Sequence, residues 1–356
     1  MKENLTSLLL PAETVQQIIQ KIGIDEVMDQ LIELTYNTFV NYDRSNSIMP
    51  IRSGFNYTEP IEGLIEWMPI RDIQDEEIIM KTVAYHPQNP TDYRLPTILS
   101  TISKYDTKTG HLIAIIDGVL PTALRTGAAT AVASKLFGYP QSKVLGLIGC
   151  GAQSITQLHA LSRIFSLEKV IYYDIDPITQ ASFEDRSSMF DLNVTFETGT
   201  IEEIAAASDI LCTATSIGVG EGPLFKYEKT QPWLHVNAVG SDFAGKIELP
   251  KELLVKSYVC PDFPEQAKIE GECQQLSSEQ IGKDIITCLK TANELSEHKQ
   301  GLTVFDSTGM AIEDRLITDY FLSHADEMGL GTKVRLENAS QEEKNPYAFL
   351  MNLKHK

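Results

Sequence analysis

Basic residues are scarce: 30 lysines and arginines stand against 49 aspartates and glutamates, a formal charge of −19 at pH 7. Such a surface repels nucleic-acid phosphates and anionic headgroups, so no nucleic-acid or membrane partner is expected. Apolar runs are short, none approaching the ~18 residues of a membrane span. The Leu-rich stretch near the start is cut by Pro11 and is too brief and too acidic for a signal peptide. Cysteine is sparse and odd in number, with Cys150, Cys212, Cys260, Cys273 and Cys288 scattered and no CxxC pair. That excludes a disulfide framework and a zinc ribbon, and points to a reduced, cytoplasmic protein. None of the seven histidines stands in an HExxH or similar spacing, so no metal is expected. Gly-x-Ser-x-Gly and phosphate-loop lysine motifs are missing, which removes serine hydrolases and nucleotide triphosphatases. Repeats and low-complexity tracts are missing as well, which sets aside solenoids and propellers.

What is present suggests two domains, since 356 residues are shared out at roughly 100 to 200 per domain, and 42% apolar content supplies their cores. The middle is the most informative. From Lys143 the chain reads Val-Leu-Gly-Leu-Ile-Gly-Cys-Gly, and Ala152 to Phe165 then carries apolar residues at helical spacing. This predicts strand, tight turn and helix. Lys169 to Asp174 is a second β-rich run ending on an acid, and Pro177 opens another helical stretch. Short apolar runs follow at Asn193 to Glu197, Ile210 to Thr215, Leu234 to Val239, Tyr258 to Cys260 and Leu302 to Phe305. The alternation predicts an α/β fold, a Rossmann-type doubly wound parallel sheet over residues 123–311.

The flanks differ. Residues 1–122 with 312–356 read as an α+β domain: helices over Ala12 to Ile22 and Asp25 to Tyr42, then strands around Gly63 to Met68, Ile78 to Tyr85, Thr97 to Tyr105 and Leu112 to Asp117. A long helix pattern, Ala311 to Met328, returns the chain to it. From about Glu337 the sequence is polar and is expected to be poorly ordered.

Gly149-Cys150-Gly151-Ala152-Gln153-Ser154 falls where a strand feeds a helix. Glycines there permit the tight turn and let the helix amino terminus approach a pyrophosphate. Ser154 replaces a third glycine, which predicts slightly wider helix-strand packing. Asp174, ending the next strand, suits a ribose 2′-hydroxyl and repels a 2′-phosphate, and Ile175 and Asp176 supply no neutralising arginine. NAD is expected rather than NADP. The plainer alternatives are a glycine turn that serves packing alone and a solvated acid at a strand end.

Three more stretches go beyond a generic dinucleotide fold: Arg125-Thr126-Gly127-Ala128-Ala129 opening a helix, Asn237 to Lys246 after a strand, and Val304 to Gly309 ending the last one. With Gly149 to Ser154 these resemble the ornithine cyclodeaminase and mu-crystallin family. Tyr173 to Pro177, Ile269-Glu270-Gly271-Glu272 with Gln274-Gln275-Leu276, and Gly329 to Lys333 look most like its bacterial ornithine cyclodeaminases. The resemblance runs from about residue 45 to 335, with departures at Pro96, at Phe243-Ala244 and in a longer stretch between Arg52 and Glu66.

The resemblance implies a homodimer formed through the amino-terminal domains, a small amino acid substrate and a set of site residues. Arg52, Lys81 and Arg125 would hold the substrate carboxylate, Glu66 would help hold its side-chain ammonium or order a water, and Thr308 would add a contact. Asp242 would be the general acid and base, a role worth ~10²- to 10⁴-fold. Thr97, Arg125, Gly149, Gly151, Ala152, Gln153, Asp174, Thr215, Val236, Asn237, Ala238, Val239, Lys246 and Ser307 would line the dinucleotide, and Asp306 would fix the turn presenting Ser307 and Thr308. Solvated surface charges are the alternative for Arg52 and Lys81, and a capping aspartate for Asp242. The implied activity converts L-ornithine to L-proline and ammonia by internal oxidation, cyclisation and re-reduction. Alternatives are a cyclodeaminase of another diamino acid such as lysine, an imine reductase, an opine-type or amino acid dehydrogenase, and a cofactor-binding protein without turnover.

Overall fold

Period-two alternation builds the first sheet. Between Gly63 and Asp72 the side chains of Leu64, Met68, Ile70 and Asp72 are buried while Ile65 and Arg71 face out, the pattern of a sheet packed on one face. The computed structural model describes residues 5–338 and 342–351. In chain order its strands are β1 (Ser7–Leu10), β2 (Ser47–Ile48), β3 (Ser53–Tyr57), β4 (Gly63–Asp72), β5 (Glu77–Tyr85), β6 (Ile98–Asp106), β7 (Leu112–Asp117) and β8 (Val144–Ile148). They continue with β9 (Lys169–Tyr173), β10 (Thr195–Thr198), β11 (Ile210–Thr213), β12 (His235–Ala238), β13 (Tyr258–Pro261), β14 (Thr303–Asp306) and β15 (Thr332–Val334).

The chain forms two units, one of residues up to 22, 43–121 and from 317 onward, the other of residues 23–42 and 122–316. The first holds a sheet in the order β15-β1-β7-β6-β5-β4-β2, with β3 also pairing β4. It is antiparallel except between β1 and β7. The helix Ala12–Ile22 contributes Val15, Ile18 and Ile19 to its core. The second unit holds seven parallel strands in the order β10-β9-β8-β11-β12-β14-β13. Strands β11, β12 and β14 are buried along their whole length, as a sheet covered on both faces requires. The order reverses at β8, the switch point where doubly wound sheets take ligands at their carboxyl edge.

Three expectations change. The helix Ile24–Asn41 belongs to the second unit, although its position suggested the amino-terminal domain. Its buried stripe of Val27, Met28, Leu31 and Ile32 is accompanied by a hydrogen bond between His159 and Asp25 (2.9 Å) and an ion pair from Asp29 to Arg163. Arg125 does not open its helix but lies in the second turn of Val119–Phe137, whose first turn accommodates Pro121. Glu337 is anchored, accepting from the Leu112 amide (3.2 Å) and pairing with His111. Beyond it, residues 339–341 and 352–356 lie outside the described residues. All five cysteines are free and buried. Among the described residues no helix is long and apolar enough to cross a membrane, and no group of His, Cys, Asp and Glu could hold a metal ion.

Candidate functional site

Four of the candidate residues belong to the first unit. Lys81 on β5 sits opposite Met68 on β4 and Ile102 on β6, and it is only 1% exposed. Glu66 sits opposite Val83, two residues from Lys81, so alternation places Glu66 and Lys81 on the same buried face. Arg52 reaches the Glu66 carboxylate at 3.7 Å. The unit therefore gathers two cations and a carboxylate on a face otherwise lined by Met68, Ile70, Ile79 and Ile102. A lysine that deeply buried is rare unless it is partnered or functional. Thr97 precedes β6, its carbonyl accepting from the His86 amide (2.9 Å).

The other candidates lie along the carboxyl edge of the parallel sheet in the second unit. Gly149 follows β8 with φ 89°, and a Cβ there would come within 2.6 Å of the Ala214 carbonyl oxygen, so no other residue makes this turn without strain. Gly151 then caps the helix Ala152–Ser162, and a Cβ on it would meet nothing within 4 Å. The protein does not need that glycine for its own packing; the bare backbone leaves room for a phosphate at the helix amino terminus. Ala152 and Gln153 are the first helical residues behind it. Ser154 is fully buried, its hydroxyl donating to the Gly149 carbonyl (2.5 Å), which ties the turn together from within. Asp174 follows β9, accepting from the Cys150 amide (2.7 Å) and the Asp176 amide (2.9 Å). This chain-held acid and open glycine turn fit the ribose and pyrophosphate of a dinucleotide. Asp176 caps the next helix, its carboxylate accepting from the Ile178 and Thr179 amides. Sequence reading missed Arg186, which the fold brings to this turn, donating to the carbonyls of Cys150 (2.7 Å) and Thr179 (3.0 Å).

Beyond β12 the chain turns through Gly240 to Lys246. Asp242 is half-buried, and its Oδ1 lies 3.0 Å from the Nζ of Lys246, which is 3% exposed and also donates to the Thr215 carbonyl (3.0 Å). Glu248 supports both neighbours, accepting from the Thr215 amide (2.7 Å) and hydroxyl (2.6 Å) and from the Gly240 amide (3.0 Å). Burial pushes the Glu248 carboxyl above its ordinary range, against the pull of Lys246 and its hydrogen bonds. Two of the residues expected along the cofactor have their side chains in the core. Val236 is packed in the core, and Asn237 is fully buried with its amide donating to Ser134 (3.0 Å), both inside β12 rather than at its edge. Ala238 ends the strand and Val239 follows it.

At the end of β14 a second correction applies. Asp306 does not hold the Ser307-Thr308 turn. Its carboxylate accepts from the amides of Glu272 (2.9 Å) and Cys273 (2.7 Å), and burial pushes its carboxyl up to about 7. The turn is held instead by Asp262, which accepts from the Thr308 hydroxyl (2.9 Å) and the Gly309 amide (2.6 Å). Arg125 is 5% exposed and pairs with Glu313, with Asp314 at 3.4 Å. Burial pushes the Glu313 carboxyl up to about 7, while the Arg125 guanidinium pulls the other way. Glu248, Asp262 and Glu313 gave no sequence signal of their role, because isolated acids acquire one only when the fold supplies amides or a cation.

A model of the ornithine cyclodeaminase/mu-crystallin family matches residues 12–327. L-lysine cyclodeaminase of Streptomyces rapamycinicus is 40% identical over 336 residues, 94% of this chain and 97% of that one. A solved lysine cyclodeaminase, described with its recognition of L-lysine, L-ornithine and L-2,4-diaminobutyric acid, is 42% identical with a TM-score of 0.93, covering 96% of this chain and 99% of that chain. An archaeal alanine dehydrogenase dimer with bound NAD is 29% identical with a TM-score of 0.81, covering 93% and 100%.

Proposed function

The chain belongs to the ornithine cyclodeaminase/mu-crystallin family, and from that premise we propose that it is an NAD-dependent cyclodeaminase of L-α,ω-diamino acids. The first substrate is L-lysine, closed to L-pipecolate and ammonia; the second is L-ornithine, closed to L-proline and ammonia. Lysine takes precedence over the ornithine suggested by the motifs because of the 40% identity to a lysine cyclodeaminase along nearly the whole chain. The observation that carries the reading is Asp242, a half-buried carboxylate at the carboxyl edge of the parallel sheet, held 3.0 Å from a buried ammonium.

Gly149, Gly151, Ala152, Gln153 and Asp174 would hold the pyrophosphate and ribose, and Thr97, Thr215, Val239, Lys246 and Ser307 the remainder of the dinucleotide. When bound, NAD supplies a reversible acceptor for one electron pair, so oxidation of the amino acid and reduction of the cyclic imine leave no net redox change. Asp242 accepts the proton of the α-ammonium and later returns one to the departing ammonia, general base and then general acid. Arg52, Lys81 and Arg125 grip the carboxylate, Arg125 from the part of its fork that Glu313 does not occupy, and Thr308 adds a hydroxyl. Glu66 receives the side-chain ammonium. The protein is cytoplasmic, its five unpaired thiols suiting a reducing compartment, and acts as a homodimer.

The test is incubation of L-lysine or L-ornithine with a small, limiting amount of NAD, following ring product, ammonia and NADH. Many products per cofactor with no accumulating NADH is the expected result. One NADH per product would replace the reading with a dehydrogenase. Both diamino acids belong in the assay, since one methylene shifts preference by only about 1 to 3 kcal/mol.

A further inference from the structure

The stretch Glu270 to Leu276 has no part in the function proposed above, yet the fold gives it one place. Residues 272–275 form a single 3₁₀ turn whose Gln274 side chain faces the segment carrying Asp242. The Gln274 amide nitrogen donates to the Lys246 carbonyl (2.9 Å), and its oxygen accepts from the Gly245 amide (2.8 Å). Ser241 closes the same segment from the other end, its hydroxyl donating to the Lys246 carbonyl (2.6 Å) and the Glu270 carbonyl (3.2 Å). Both ends of the Asp242 turn are thus fastened to one short stretch.

That stretch is itself fixed from below. Asp306 accepts from the Glu272 and Cys273 amides, an approach possible because a Cβ on Gly271 would lie 2.5 Å from the Asp306 carboxylate. Gln275 donates to the Leu249 carbonyl (3.0 Å), and the Glu272 carboxylate accepts from the Glu248 amide (2.7 Å). The segment that follows β12 and the end of β14 are joined through residues 271–275. Asp242 is the one acid of the turn 241–246, and its direction depends on the backbone that Gln274 clasps.

We propose that Gln274 is a positioning residue for Asp242, acting through the backbone of Gly245 and Lys246; this rests on the role given to Asp242 above. Misplacement of a reacting group by about 1 Å costs on the order of 10²-fold. Gln274→Ala removes both bonds. Gln274→Glu keeps the acceptor for Gly245 but sets a carboxylate oxygen against the Lys246 carbonyl. Both should lower kcat about 10- to 100-fold, with KM for the diamino acid and NAD affinity changed less than about threefold and thermal midpoints near that of the parent. A kcat within about twofold of the parent in either folded variant overturns the proposal, as does a kcat loss matched by an equal loss of NAD affinity. Asp242→Asn is assayed beside them. If it is inactive while the Gln274 variants work normally, the clasp alone fails; if it retains activity, the role of Asp242 fails, and the clasp with it.

Discussion

Asp242 is the residue on which the chemistry turns, and its surroundings make a clean test possible. Asparagine keeps an oxygen for the Lys246 ammonium, which lies 3.0 Å from Oδ1 and remains bound to the Thr215 carbonyl. Asp242→Asn should therefore preserve the turn and NAD affinity while lowering kcat at least ~10²-fold, the loss of a proton-transferring group. Steady-state kinetics beside NAD titration checks this, and a variant with half the parent's rate would remove Asp242 from the mechanism. The glycines around the dinucleotide turn were legible in the sequence because a strand-to-helix turn constrains the backbone locally, as φ 89° at Gly149 confirms. The supports of Asp242 were not. Gln274 and Glu248 act on backbone amides and carbonyls, and nothing in side-chain type announces which amide a distant glutamine will meet.

At the scale of elements, helices with long apolar stripes were readable, Ala12–Ile22 within its observed limits and Ile24–Asn41 within a residue. The short strands β1 and β15 were not. Four and three residues are too few to display alternation, and their hydrogen bonds come from partners far away, Leu8 facing both Ala114 and Lys333. Register also assembles a feature that no single strand shows. Phe55, Ile65, Ala84 and Leu99 stand opposite one another across β3, β4, β5 and β6, and Phe55, Ile65 and Leu99 are 69%, 38% and 36% exposed. A contiguous apolar row on an open sheet face is what a protein interface uses. In the homodimer proposed above, this row is expected to form the contact, with Trp67 beside it edge-on to Phe55 at 5.7 Å. Ile65→Lys combined with Leu99→Lys places charge at two exposed positions and should yield a folded monomer by light scattering. A variant that remains a dimer would move the interface elsewhere.

For the whole molecule, the surplus of acids is not confined to the surface. Glu248, Glu272, Asp306 and Glu313 are all buried in the second unit, and burial pushes each carboxyl up, Asp306 and Glu313 to about 7. A carboxyl whose folded pKa exceeds its unfolded value stabilises the fold below the unfolded value and loses that contribution as pH rises through the folded one. For Asp306 and Glu313 the window runs from 3.8 and 4.5 up to about 7. His235 works the other way, since burial holds it down to about 3, so its contribution is present above 6.5 and lost as pH falls toward 3. Stability should therefore peak in mildly acidic solution and decline toward alkaline pH, where ionising carboxyls also add to a net charge already at −19. Glu313 isolates one share of that decline. It faces Arg125, with Asp314 and Asp262 as the other charges acting on it, and glutamine retains an acceptor for the guanidinium but cannot ionise. Thermal midpoints recorded from about pH 5 to about pH 8 should fall less in Glu313→Gln than in the parent. Parallel curves would mean that Glu313 is already ionised throughout that range, its proton displaced by Arg125 in spite of burial.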